Sequence, residues 1–402
     1  MRRILTPVAF VLATTVALSA IDAVGTIQKI DVENGVLVIH TAGQDRSVKL
    51  DSKVKVLGID DQPLAGGVGA EELKAGTEVT FTIDIRANAI VVSQIRLGKR
   101  KGAIESKASV GLKPLSEMTA GDDYKGEDGG LYGGGRNEPP EPHLRIAHVE
   151  TAKIVPRNAA GQPAERGLIG LISISMSNAT QEFSAFKELA DEDSLKSPHV
   201  TIVDCAQRGQ AMAQWVDPRA EAWIETDRRL NTAKVSPNQV QVVWVKLANI
   251  LPTGDLPEHG RKLQKDTLAV LQNAKARFPN LRIAYLSSRI YGGWTTIALN
   301  PEPYAYEGAF VVRWLIQDQI KGDPNVNPDS AKGPVRVPVL LWGPYLWADG
   351  TTARKGDGLI YEAKDLEIDG THPSQRGRHK VAALLLRFFQ TDPLASSWYL
   401  RN

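Results

Sequence analysis

From about residue 146 the chain alternates continuous apolar runs with helical segments, and that alternation limits the folds open to it. The runs lie at residues 168–176, 200–205, 240–248, 281–286 and 335–342. Helical patterns fill the gaps at 182–190, around 210–229, at 261–277 and at 305–320, and a last amphipathic helix follows residue 374 and ends the chain. Strands this apolar are buried on both faces, which predicts a five-stranded parallel sheet with helices above and below. In such sheets ligands bind beyond the carboxyl ends of the strands, at the switch point of strand order. The residues that follow each strand are therefore the ones to search for chemistry.

The region before the sheet reads differently. Asn34-Gly35 is a hairpin signal, and residues 36–40 after it alternate as a strand does. Further strand patterns at 47–50, 53–57, 78–83 and 89–95 predict a small antiparallel barrel or sandwich over residues 24–98. Residues 99–145 contain Gly129, Gly130, Gly133, Gly134, Gly135, Pro139, Pro140 and Pro142, and read as an exposed Gly/Pro-rich linker. A glycine phosphate loop does not fit, because no strand feeds the glycines and no Lys-Ser/Thr pair ends them. The α/β domain then spans 146–402.

At the N-terminus Arg2-Arg3, a short apolar core from Pro7 to Leu18 and the small residues Ala17, Ser19, Ala20 and Ala23 read as a signal peptide over residues 1–23. That predicts a periplasmic or extracellular protein without a stable membrane span once the signal is cleaved. An uncleaved N-terminal anchor is the alternative. A net charge of +2 without a polybasic run excludes a nucleic-acid partner. Cys205 is the only cysteine, so neither an intrachain disulfide nor a cysteine metal cluster is expected, and its apolar context reads as core.

The densest chemical signal is Asp369-Gly370-Thr371-His372-Pro373, just before the last helix, with Ser374 as its cap. A carboxylate three residues before a histidine can accept the Nδ1 proton and leave Nε2 as a base. The first strand ends in Ser175-Met176-Ser177-Asn178-Ala179-Thr180, where a serine sits at a helix N-terminus whose N–H groups favour an oxyanion, or where these hydroxyls merely cap the helix. Gly209 follows the second strand and Asn249 the third; each can supply a donor or simply shape a turn. Lys246, at the end of the third strand, either faces the site or reaches the surface.

In order and spacing these four short blocks resemble those of the SGNH, or GDSL-type, serine hydrolases over roughly residues 165–390. The resemblance implies a flavodoxin-like three-layer α/β/α sandwich and ester hydrolysis without a cofactor or metal. It also implies Ser177 as nucleophile, His372 as base and Asp369 as its orienting partner. Ser177, Gly209 and Asn249 would form the oxyanion hole. The family's Gly-Asp-Ser reads Ser175-Met176-Ser177 here, which leaves Ser175 as a competing nucleophile, and its Gly-x-Asn-Asp keeps only Asn249.

Arg289, Tyr291 and Trp294 follow the fourth strand, and Trp342, Tyr345 and Trp347 close or follow the fifth. Aromatic faces there either stack on sugar rings or pack into the core. With export and a separate β module, the substrate reading is a carbohydrate O-acyl (acetyl) ester, small or polymeric, with Arg289, Tyr291, Trp294 and Trp347 as contacts. Two other classes compete. One is a catalytically inactive carbohydrate-binding protein of the same fold. The other is a metal-dependent hydrolase, which needs ligands beside His372; His40, His143, His148, His199, His259 and His379 show no such spacing.

Overall fold

A computed structural model describes residues 21–86 and 89–401. The signal-peptide reading falls on residues outside this range up to position 20; residues 21–23 belong to the first strand. The chain divides into two compact units: the first ends at Arg100, close to the expected end of the β module at 98, and the second takes in residues 41–44 and everything from Lys101, well before the expected start at 146.

The first unit is a closed barrel of β1 (Ile21–Asp31), β2 (Val36–Thr41), β3 (Gln44–Leu57), β4 (Glu78–Arg86) and β5 (Ala89–Leu97). The order around it is β1-β2-β3-β5-β4. Alternate residues point inward: Leu37 and Ile39 on β2, and Val79, Phe81 and Ile83 on β4, are buried. The barrel is not antiparallel throughout, because β3 and β5 run parallel. The reason is parity: an odd number of strands in a closed ring cannot alternate direction everywhere. The two short runs at 47–50 and 53–57 are one strand, with a register shift between Leu50 and Lys55.

The second unit follows as α1 (Glu141–Thr151), β6 (Ile169–Ile174), α2 (Ser177–Glu192), β7 (Val200–Val203), α3 (Met212–Trp215), α4 (Glu221–Thr232), β8 (Val240–Lys246), α5 (Leu256–Arg277), β9 (Ile283–Ser287), α6 (Tyr304–Lys321), β10 (Val339–Trp342), α7 (Gln375–Thr391) and α8 (Pro393–Tyr399). The five strands β6 to β10 form a sheet in the order β10-β9-β8-β6-β7, parallel throughout. Every residue of β6, β8, β9 and β10 is buried, so both faces of these strands are covered. The helices pack as two sets, α1, α8, α7 and α2 in one and α4, α3, α5 and α6 in the other. The chain steps from β6 outward to β7, then crosses to β8 on the other side, which puts the switch point between β6 and β8. Two helix readings change. The single helix around 210–229 is α3 and α4, broken at Pro218, which cannot donate to a helix ladder. The chain also continues past α7 into α8, whose start is capped by Asp392.

The linker reading is overturned as well. Residues 101–140 form a strap packed within the second unit, with Leu115, Met118 and Tyr132 buried in its core. The Tyr306 hydroxyl donates to Lys113 O at 2.8 Å, the Leu115 N–H to Tyr345 Oη at 3.0 Å, and Trp342 Nε1 to Leu131 O at 2.7 Å. Arg313, 1% exposed, donates to Asp128 O at 2.7 Å and Asp128 Oδ1 at 3.0 Å. The glycines serve close approach, not flexibility: a Cβ on Gly129 would lie 2.1 Å from the Met118 carbonyl carbon. The prolines near 140 mark the start of α1, whose first turn contains Pro142 and needs few N–H donors. Replacing Arg313 with Ala would strand buried carbonyls of the strap. We expect a loss of about 2–3 kcal/mol in urea unfolding, with new protease cuts between residues 113 and 137. Wild-type stability and protection in Arg313→Ala would show that the strap is held by other contacts.

Candidate active site

Two turns at the carboxyl edge of the sheet bring Ser177 and His372 together across 195 positions of sequence. Ser177 is the first residue of α2, directly after β6 and its two-residue turn. The hydroxyls around it do not cap that helix. Instead Thr180 and Ser184 on one face of α2 donate to Asp204 just after β7, Ser184 at 2.8 Å, and Ser173 on β6 donates to the same carboxylate at 2.5 Å. Burial raises the pKa of Asp204, against the pull of these three hydroxyl bonds. The start of α2 is thereby tied to two adjacent strands.

His372 rides on the turn before α7. Ser374 Oγ accepts the Gly377 N–H at 3.4 Å and starts the helix, while Glu367 N–H donates to His372 O at 2.7 Å. Gly370 has φ +65°, and a Cβ there would lie 2.0 Å from the Trp294 carbonyl oxygen, so only glycine fits. Asp369 Oδ1 accepts the backbone N–H of Thr371 at 2.9 Å and of His372 at 3.0 Å; Oδ2 lies 2.6 Å from His372 Nδ1. With the carboxylate against Nδ1, the proton sits there and Nε2 is the acceptor. Ser177 Oγ is 2.8 Å from that Nε2. Burial pushes the Asp369 carboxyl up, but the charge and hydrogen bond of His372, with the two backbone donors, outweigh it and hold the pKa below its ordinary value.

Ser175 is placed differently. It is fully buried and donates to the Lys246 carbonyl, while its own carbonyl accepts the Gln207 N–H at 2.8 Å. Gly209 is exposed with φ +73° and open space where a Cβ would point. Among the described residues neither its N–H nor that of Ser177 has an acceptor. Asn249 is fixed at both ends of its amide: Oδ1 accepts the Ala213 N–H at 3.0 Å, and Nδ2 donates to Asp266 at 2.7 Å. One amide proton remains.

The aromatic contacts read from the sequence are not at an open surface. Tyr291, Trp294 and Trp347 are 1%, 8% and 0% exposed. Tyr291 donates to Lys107 O at 2.7 Å, Trp294 Nε1 to Tyr361 O at 2.7 Å and Trp347 Nε1 to Glu302 at 2.8 Å. Arg289, 2% exposed, lies behind the histidine turn and donates from Nη2 to Thr371 O at 3.3 Å. Asn178 Nδ2 donates to the same oxygen at 2.8 Å. These residues pack because the loops after β9 and β10 are covered by the strap and by residues up to 361. Cys205 is buried, and burial pushes its thiol up.

Sequence reasoning named Lys246 but missed Glu182, the partner that keeps it from the surface. Lys246, fully buried, places Nζ 2.6 and 2.5 Å from the two Glu182 oxygens. Burial drives both toward neutrality, Glu182 upward and Lys246 down to about 8. A signal existed: Glu182 lies on the α2 face that buries Ala179, Phe183 and Phe186, and Lys246 ends an otherwise uncharged strand. Among the described residues no three His, Cys, Asp or Glu side chains converge as a metal site requires. No helix among them is long and apolar enough to cross a membrane.

No protein-family model matches the chain, and no curated protein matches it. Among solved structures, the chain is similar to a "putative acylhydrolase" from Bacteroides fragilis, at 12% identity over 64% of this chain and 100% of that one, with a TM-score of 0.33. It is similar to a Bacillus subtilis protein at 10% identity over 57% of each chain, with a TM-score of 0.28. Apo-CusF from Escherichia coli matches at 18% identity over 22% of this chain and 98% of that one, with a TM-score of 0.17. Likenesses this distant say nothing of the chemistry at Ser177 and His372.

The depressed Asp369 carboxyl has a consequence for folding. A lowered pKa stabilises the fold above the ordinary carboxylate value of about 3.9, and that contribution is lost as pH falls through the lower folded value. The stability advantage of the wild type over Asp369→Asn, followed by urea unfolding, should therefore shrink as pH drops below about 3.9. An advantage independent of pH in that range would contradict the ionised pairing.

Proposed function

We propose that the chain is a serine ester hydrolase in which Ser177 attacks, His372 moves the proton and Asp369 orients the ring. One observation carries the reading: the hydrogen-bonded line from Ser177 Oγ to His372 Nε2 at 2.8 Å and from Nδ1 to Asp369 at 2.6 Å. In the first half-reaction the Ser177 proton passes to His372 Nε2 as Oγ bonds the ester carbonyl carbon. The alkoxy C–O bond then breaks, and the same proton goes to the leaving alcohol. Water repeats the sequence on the acyl-enzyme and restores the Ser177 hydroxyl. The negative oxygen of each tetrahedral intermediate would be met by the Ser177 and Gly209 N–H groups and by the remaining Asn249 amide proton.

The order Ser177, Gly209, Asn249, Asp369, His372 supports an SGNH-type hydrolase within this reading, and the N-terminal segment adds export to the proposal. The buried aromatics lend no support to a carbohydrate substrate. Burial of Ser175 supports a single nucleophile. A serine-reactive fluorophosphonate should label the peptide that contains Ser177, and Ser177→Ala should remove both labelling and turnover. Ser175→Ala should still be labelled. Labelling retained in Ser177→Ala would reassign the nucleophile, and no labelling with no ester turnover in the wild type would favour a binding protein. Asn249→Ala should lower kcat by about 100-fold or more with little change in KM, as removal of one oxyanion donor does. A KM effect alone would place Asn249 outside the oxyanion hole.

A further inference from the structure

A second hydrogen bond joins the two segments that carry Ser177 and His372. Asn178, the residue after Ser177, is 1% exposed and donates from Nδ2 at 2.8 Å to the carbonyl oxygen of Thr371, the residue before His372. With the 2.8 Å contact from Ser177 Oγ to His372 Nε2, α2 and the histidine turn are tied at two successive positions of each. Thr371 is also fixed on its other sides. Its N–H donates to Asp369 Oδ1 at 2.9 Å, its Oγ1 lies 2.5 Å from Thr295 Oγ1, and its carbonyl oxygen takes Arg289 Nη2 at the longer distance of 3.3 Å. The reaction affects the two ties differently. Acylation turns Ser177 Oγ into an ester oxygen with no proton to give, so the direct bond to Nε2 ends with the first half-reaction. The bond from Asn178 involves no reacting atom and outlasts it.

We propose that Asn178 is a positioning residue for deacylation: it holds His372 in register with Ser177 while the direct bond between them is absent. The inference rests on the serine hydrolase reading. In this step His372 Nε2 takes a proton from water as the water oxygen bonds the acyl carbon. The bond from that carbon to Oγ then breaks, the proton passes from Nε2 to Ser177 Oγ, and the carboxylic acid leaves. Both transfers require Nε2 to stay within hydrogen-bond reach of the ester on Ser177. Asp369 fixes the ring on its own turn, whereas Asn178 sets that turn against the helix that carries the ester.

Stopped-flow hydrolysis of p-nitrophenyl acetate by the full chain separates the half-reactions, since the burst reports acylation and the steady state deacylation. Asn178→Ala and Asn178→Leu both remove the donor, and leucine keeps the side-chain bulk. Both should slow deacylation by about tenfold, the worth of one hydrogen bond at a buried carbonyl, and acylation by less than about threefold. kcat and KM should therefore fall together while kcat/KM changes little. Titration of Ser177 with a fluorophosphonate counts the intact sites, so a loss of folded protein does not pass for slow turnover. Equal slowing of both steps, or a normal rate in Asn178→Leu, assigns Asn178 to packing and overturns the proposal, leaving the hydrolase reading standing. The wild type supplies a second test. In a crystal of the phosphonylated chain Asn178 Nδ2 should remain within hydrogen-bond distance of Thr371 O, and a separated pair overturns the proposal whatever the variants do. No labelling of Ser177 in the wild type, with no turnover, removes the hydrolase reading and this inference with it.

Discussion

A buried carboxylate must be surrounded by donors or give up its charge, and Asp369 meets that condition with three N–H groups. Two come from the backbone one turn ahead, so the same bonds that keep the charge also shape the turn. The third is the imidazole, which is thereby set in one tautomer with Nε2 toward Ser177. Gly370 makes the turn sterically open, and Thr371 O is gripped from behind by Asn178 and Arg289. The histidine is therefore held by its own loop, by α2 and by the segment after β9. Loss of the Asp369 charge would loosen all of these at once.

Charge below the site is arranged just as tightly. Glu182 and Lys246 are both fully buried and satisfy each other, while Arg289 feels the carboxylates of Glu182, Glu302 and Asp369. Such a pair adds little net stability over apolar residues of the same size, but removing one partner is costly. We read it as a device of registration: Glu182 is on α2 and Lys246 ends β8, so the pair sets the helix bearing Ser177 against the strand that leads to Asn249.

The strap shows how composition misleads when packing is tight. Glycines at 129 and 130 look like a flexible spacer, yet they are present because the backbone lies against Met118 and Arg136. Arg313, Tyr306, Tyr345 and Trp342 all spend polar atoms on this segment, which is why the aromatics after the last strands are covered.

The sequence by itself determined what depends on neighbours along the chain. Continuous apolar runs separated by helical patterns required a parallel sheet with both faces covered. The spacing of Asp369 and His372 set their contact, because three residues close one turn. The Gly370 requirement and the cap at Ser374 are local in the same sense. The tertiary structure decided everything that depends on distant segments. It chose Ser177 over Ser175 as the partner of His372, since the residues alternate across the turn and only one hydroxyl faces the histidine loop. It buried the aromatics that an open-ended reading left free. It turned a Gly/Pro-rich stretch into a strap, and it forced one parallel pair into a five-stranded barrel. Burial is a sum over residues far apart in sequence, and local pattern carries that sum only where a strand or helix presents a single face.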